Sequence, residues 1–274
     1  MTTDLRYRNA GNPALLDLVD IPPGRALDCG CGAGDNARRL RERGWRVTGV
    51  TLDPAELAAA AAECETVKLA DLAKGLPFAA DGSFDLVLLS HILEHLVDPA
   101  PLLAEARRVL APGGRIAVAL PNVAHFRQRA QHLVGRFDYT ETGVMDSTHV
   151  RFFTVVTARR LLEDNGLTVL AVGASGGLPL WRSRQWLPDS LAARADRWAL
   201  ETRPNLFAWQ SVFLVTDART RSAGAPQGAA TTAIPSQHEP DISFVPNAPT
   251  PPGAPATGIP SPAPANDETA AAST

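Results

Sequence analysis

The sequence predicts an α/β fold, a doubly wound parallel sheet with helices on both faces. Two observations carry most of that expectation. Short apolar strands alternate with helical segments from about residue 25 to residue 120, the pattern that buries a parallel sheet between helical layers. The stretch 25–34 (Arg-Ala-Leu-Asp-Cys-Gly-Cys-Gly-Ala-Gly) reads as a buried strand running into a glycine-rich turn that opens a helix. Composition agrees: the 274 residues are 45% hydrophobic and 20% charged, with a formal net charge of −3. Such a balance has no general basic surface and argues against a nucleic-acid partner. No apolar run approaches the roughly 18–20 residues that cross a bilayer. The first residues also lack the apolar core of a signal peptide, so no membrane span and a cytoplasmic location are expected. Cys29, Cys31 and Cys64 are the only cysteines. Without paired Cys or His at ligand spacing they predict no zinc site, and a reducing compartment suits them.

Taken in order, residues 12–20 read as a short amphipathic helix leading to the strand that ends at Leu27, Asp28 and Cys29. Gly30, Gly32 and Gly34 then turn the chain into a helix that reaches about Arg43 and stops at Gly44, a natural residue just past a helix end. Residues 45–50 form a second strand. Asp53-Pro54-Ala55-Glu56 has the form of a capping box with proline at the first helical position, opening an alanine-rich helix. Residues 66–70 and 84–90 are the third and fourth strands, the latter rich in Leu and Val as a strand covered on both faces should be. A helix over 99–110 leads to the turn Pro112-Gly113-Gly114 and a fifth strand over 115–120.

Beyond Pro121 the alternation loosens. Residues 122–150 hold His125, His132, Asp146 and His149 among several arginines, with a helix expected near 124–134. Thr154 can cap a helix ending at Asn165-Gly166, before a strand over 167–172. Residues 175–205 read as a second, lid-like insertion, and 210–216 as the last strand. The folded domain therefore spans 1–217, with insertions at about 122–150 and 175–205. Residues 218–274 hold 11 of the 23 prolines with few large apolar side chains, the composition of a disordered tail.

Three glycines on alternate residues allow backbone angles that a Cβ forbids, and let a ligand approach the main chain. A dinucleotide fingerprint needs G-x-G-x-x-G; here its third small residue would fall on Asp35, which disfavours an NAD-linked dehydrogenase. Asp28, just before the glycines, would repel a pyrophosphate but suits a cationic group. The stretch resembles motif I of class I S-adenosylmethionine (SAM) methyltransferases. The resemblance implies a seven-stranded Rossmann-like sheet, six strands parallel and the last antiparallel, and SAM as cofactor. It places Asp28, Gly30, Cys31, Gly32 and Gly34 at the methionine end. In that family the second strand usually ends in an acid that holds the ribose. Thr51 stands in its place here, followed by Leu52 and Asp53; Asp53 can substitute but is also the expected helix cap. Asp71 and Leu72, before Leu76-Pro77-Phe78, resemble the family's adenine-binding D-x-x-x-L-P-F with a longer spacer. Ser90 and His91 resemble the end of its fourth strand, and His95 reads as either a catalytic or a satisfied turn residue.

Pro121-Asn122-Val123-Ala124-His125-Phe126-Arg127, Gly135–Tyr139 and 146–154 resemble MetW-like proteins. They resemble more closely methyltransferases found with polysaccharide and glycosyltransferase genes. This implies transfer of a methyl group to an oxygen of a sugar, glycan or other small molecule, or alternatively a SAM-binding partner protein of a biosynthetic enzyme. An oxygen nucleophile must lose a proton, and histidine is the usual base near neutral pH. His149 is the first candidate, with Asp146 to orient its ring and His125 as the second. The competing reading is a polar network of Asp146, His149 and Arg151 that holds the insertion. A metal on Asp146, His149 and His125 has no distinctive spacing, and none is expected.

Overall fold

The computed structural model describes residues 11–179 and 188–219. Seven strands form one sheet: β1 (Arg25–Cys29), β2 (Arg46–Thr51), β3 (Thr66–Leu69), β4 (Phe84–Ser90), β5 (Leu110–Pro121), β6 (Leu167–Gly176) and β7 (Ala208–Asp217). Their order is β3-β2-β1-β4-β5-β7-β6. Pairs within the first five are parallel, and β7 runs antiparallel to both β5 and β6. The expected topology, with only the last strand reversed, is the observed one. The chain winds from β1 outward through β2 and β3, then returns to lay β4 on the other side of β1. Between the carboxyl ends of β1 and β4 the winding reverses, and open α/β sheets take ligands at that crevice.

Side-chain alternation along the strands feeds two cores. Leu27, Val87, Leu89, Val118 and Phe213 point to one face, where α4 (Ala100–Val109) and α6 (Val155–Asp164) pack. Ala26, Leu86, Leu88, Ala117 and Leu214 point to the other, covered by α1 (Pro13–Leu16) and α2 (Asp35–Glu42). Both faces being apolar explains why the central strands read as continuous hydrophobic runs.

Two expectations are corrected. The capping box at 53–56 does not form: Asp53 Oδ1 accepts from Ala55 N at 2.8 Å, but Glu56 turns to Thr51, and α3 is only Leu57–Ala61 with no side-chain cap. The turn at 112–114 lies within β5, which pairs Phe84 with Leu110 and then Leu86 with Arg115, so that four residues bulge out. Glycine at 113 takes φ +80° there. Residues 188–207 of the second insertion are mainly α7 (Asp189–Thr202) and α8 (Pro204–Phe207). Residues 180–187, and 220–274 of the expected tail, lie outside the described residues. Among the described residues no helix is long and apolar enough to cross a membrane.

The 122–153 segment leaves the end of β5 and returns beside it. Asn122, fully buried, donates from Nδ2 to Ala208 O at 2.7 Å and from N to Trp209 O, while Val123 N donates to Phe153 O. Within this closed excursion sits α5 (Phe126–Leu133). The expected cap of α6 is present as a reciprocal pair: Thr157 N donates to Thr154 Oγ1 at 3.1 Å and Thr154 N to Thr157 Oγ1 at 2.8 Å. Thr154→Ala should therefore cost about 1 kcal/mol in urea unfolding, and Thr154→Ser much less.

Candidate active site

The glycine turn is held by β2. Gly30 N and Cys31 N both donate to Val50 O at 2.8 Å, and Gly34 N donates to Cys31 O. Gly30, Gly32 and Gly34 have φ of +74°, +53° and +89°, the left-handed region that favours glycine. A Cβ on Gly30 would run into Ile92, and one on Gly34 would stand 2.9 Å from Glu63 Cβ. A side chain is thus excluded at Gly30 and Gly34 on two counts. Cys31 is buried, and its sulfur and that of Cys64 converge over Gly49, where a Cβ would be 2.8 Å from each. The hydrogen bond from Cys64, with burial, pushes the Cys31 thiol up, so it is a packing group.

Beneath the turn lies Asp28. It is fully buried, and neither carboxylate oxygen has a hydrogen-bond partner among the described residues. Burial pushes its carboxyl up to about 7, because desolvation penalises the charged form. An orphan carboxylate under a glycine-rich turn fits a ligand that brings positive charge to the main chain. The remaining donors also fit SAM. At the carboxyl end of β2, Thr51 Oγ1 donates to Glu56 Oε2 at 2.6 Å and accepts from Asp53 N at 3.1 Å. Glu56 is buried, while Asp53 is exposed and engaged with Ala55 N. A carboxylate therefore does stand at the end of β2, and it comes from Glu56. Sequence reasoning read Glu56 only as half of a capping box; its place three residues past Asp53 gave no sign that it folds back on Thr51. Leu52 beside this pair is 69% exposed, an apolar face open to a ring. Asp71 Oδ1 caps the short 3₁₀ turn 72–74, accepting from Ala73 N at 3.0 Å.

At the end of β4 the half-buried Ser90 and His91 face the same crevice edge. His91 has φ +57°, unusual for a residue with a Cβ and characteristic of functional sites. Its Nδ1 lies 3.1 Å from Glu94 Oε1 and its Nε2 2.8 Å from Gln210 Oε1. Both partners are acceptors. Burial lowers the imidazole's pKa, but the Glu94 hydrogen bond and charge, with Gln210, outweigh it and push the pKa up. Gln210 continues the network to Asn12 and Ser175, and Asn12 N donates to Asn36 Oδ1 on α2.

The catalytic candidates separate. His149 is buried, and its Nδ1 faces Val144 O at 3.1 Å, so that carbonyl fixes its ring. Asp146 Oδ1 accepts from Thr148 N at 2.8 Å and Thr148 Oγ1 at 2.7 Å, closing a local turn. Burial pulls the His149 imidazole down, outweighing the nearby Glu94 carboxylate. His125 is occupied elsewhere: it caps α5, its Nδ1 accepting from Arg127 N at 3.4 Å, and burial with the Arg127 charge pushes it down to about 4. His149 meets two residues from the β4 exit instead. Its Nε2 is 3.9 Å from Glu94 Oε1, and its ring stands edge-on to His95 at 4.8 Å. Glu94 is fully buried with Oε2 unpartnered, and its main-chain carbonyl accepts from Val150 N and Arg151 N.

Because the folded Asp28 carboxyl titrates above its unfolded value, its cost to stability is fully present above pH 7. That cost fades as pH falls toward 4. A shift from 3.8 to about 7 corresponds to a cost of about 4 kcal/mol at most. Asp28→Asn should stabilise the ligand-free chain at pH 8 and lose most of that advantage at pH 4, as followed by urea unfolding at both pH values.

Known proteins place this arrangement. Residues 27–118 match the family model described as a methyltransferase domain. Over 124 residues the chain is 31% identical to a ubiquinone biosynthesis O-methyltransferase of Pseudomonas aeruginosa, covering 40% of this chain and 52% of that protein. It is 40% identical over 184 residues to a 2-methyl-6-phytyl-1,4-hydroquinone methyltransferase of Synechocystis, covering 62% of this chain and 56% of that one. The chain thus spans about half the length of these curated relatives. In fold it is similar to a SAM-dependent methyltransferase from Archaeoglobus fulgidus, with TM-score 0.52 and 19% identity over 70% of this chain and 86% of that one. One from Mesorhizobium loti gives TM-score 0.51 and 22% identity over 74% and 95%. The methyltransferase-domain match over residues 27–118 thus coincides with the three-glycine turn, in a sheet with the fold of the SAM-dependent methyltransferases it resembles.

Proposed function

We propose that this chain methylates an oxygen of a small molecule, with a sugar or glycan hydroxyl as the acceptor. One observation carries the reading: the partnerless carboxylate of Asp28 beneath three glycines at the point where the sheet reverses its winding. SAM, when bound, supplies a methyl group on a sulfonium that is already a good leaving group. The chain's share is to bind, align, exclude water and take up the acceptor's proton.

Gly30, Gly32 and Gly34 leave the main chain open to the methionine end, and Asp28 balances its charge. Glu56, held by Thr51, takes the ribose hydroxyls in place of the acid that β2 lacks. This supports full cofactor binding rather than the weakened binding of a partner protein. Leu52 and Leu72 offer apolar faces to the adenine, and Asp71 its second carboxylate oxygen. On the acceptor side the 122–153 segment presents exposed Phe137 and Tyr139, with Phe152 nearby. Such aromatic faces suit the apolar face of a sugar ring. Proton removal falls to Glu94, His95 and His149 as a unit, while Asp146 and His125 position the segment.

Calorimetric titration tests this. S-adenosylhomocysteine should bind at micromolar level and NAD should give no heat. No heat from either SAM or S-adenosylhomocysteine would overturn the reading. Loss of a charged hydrogen bond, about 1.5–3 kcal/mol, should make Glu56→Ala roughly tenfold to hundredfold weaker. Asp53→Ala should bind as the unaltered chain does; the reverse pattern would return the ribose to Asp53.

A further inference from the structure

The cluster Glu94, His95 and His149 is poised around something it does not itself provide. One ligand atom from each of the three lies within 4.8 Å of the others. Both imidazoles are fixed in the same tautomer by acceptors that cannot donate. His149 Nδ1 faces the Val144 carbonyl at 3.1 Å, and His95 Nδ1 faces the Thr148 carbonyl at 3.3 Å. Thr148 Oγ1 adds to the second: it gives its proton to Asp146 Oδ1 at 2.7 Å, so it too accepts from His95 Nδ1, at 3.1 Å. Each neutral ring therefore keeps a lone pair on Nε2. For His149 that lone pair faces a buried carboxylate, Glu94 Oε1 at 3.9 Å. The separation is too long for a shared proton. Two ligands of one ion, each about 2.1 Å from it, stand roughly 3.4–4.2 Å apart. The other oxygen, Glu94 Oε2, is buried without a hydrogen-bond partner. His91 Nδ1, 3.1 Å from Oε1, steadies the carboxylate.

The geometry points to a divalent transition-metal site formed by Glu94, His95 and His149. Two imidazoles and one carboxylate suit zinc, manganese, iron(II) or cobalt, and three protein ligands leave coordination positions open. The ring N–H groups held by Val144 and Thr148 are the outer contacts that such ligands characteristically make. Closing the widest spacing from 4.8 Å needs the rings to move in by about 1 Å, a side-chain adjustment. A bound ion would fasten the 139–153 segment to the β4 exit. An open position would then take the acceptor's hydroxyl oxygen and make its proton easier to lose; this last role rests on the methyl-transfer reading, but the metal binding does not.

The test is a titration of the chelator-treated full chain with Co²⁺ and Zn²⁺. One Co²⁺ per chain should bind with visible d–d bands and no near-ultraviolet thiolate band. Glu94→Gln, His95→Gln and His149→Ala should each weaken binding at least hundredfold. Thr148→Val should weaken it tenfold to hundredfold by freeing the His95 ring, and Cys64→Ser should leave it unchanged. Calorimetry with S-adenosylhomocysteine, which needs none of these ligands, checks that each variant is folded and keeps the cofactor reading separate. Absence of Co²⁺ and Zn²⁺ binding by the unaltered chain, a thiolate band, or undiminished binding in folded His95→Gln would overturn the site.

Discussion

Asp28 lies near the end of β1, an interior strand of the sheet, with β2 on one side and β4 on the other. Its carboxylate is buried without a partner, and burying a charge in that way is among the costlier things a fold can do. A cost of a few kcal/mol is a sizeable fraction of the stability of an ordinary domain. The surrounding elements make the position tolerable. Two main-chain bonds tie the glycine turn to Val50, and continuous apolar cores close both faces of the strand. A cationic ligand brought against this carboxylate would relieve that cost. Binding and stability are therefore coupled at one carboxylate.

Around that point three strand ends divide the work. The exit of β1 supplies open main chain, and the exit of β2 supplies the Thr51–Glu56 pair. The exit of β4 supplies His91, Glu94 and His95 within five residues. From His91 the contacts run through Gln210 on β7 to Asn12 and Asn36 at the start of α2. The helix that begins at the glycine turn is thus linked by hydrogen bonds to the acceptor side of the crevice. Such a chain of buried, mutually satisfied polar groups fixes geometry more than it adds stability.

The sheet was readable because its information is local. Continuous apolar strand runs, the closely spaced glycines and the Thr154 cap each concern neighbours a few residues apart, and strand order followed from the family resemblance. Expectations failed where a local motif competed with a tertiary one. Asp53–Glu56 has the letters of a capping box, yet the Glu56 carboxylate finds a better donor in the buried Thr51 hydroxyl, and the helix starts late and short. Glu94 drew no attention in the sequence. Nothing near it in the chain shows that His149, 55 residues later, returns to within 4 Å of its carboxylate.

That return explains how cofactor and acceptor ends can communicate. Val150 N and Arg151 N both donate to the Glu94 carbonyl, and Arg151 Nε donates to Val97 O. The covering segment is therefore docked through the main chain of the same residue whose side chain faces His149 and His91. His91 in turn sits one residue past Ser90, at the end of the strand that pairs with β1 over Asp28. Displacing the segment would withdraw His149 from Glu94 and loosen the carboxylate that holds the strained His91. The two ends of the proposed site would then shift together, because Ser90–His95 form one continuous stretch between them.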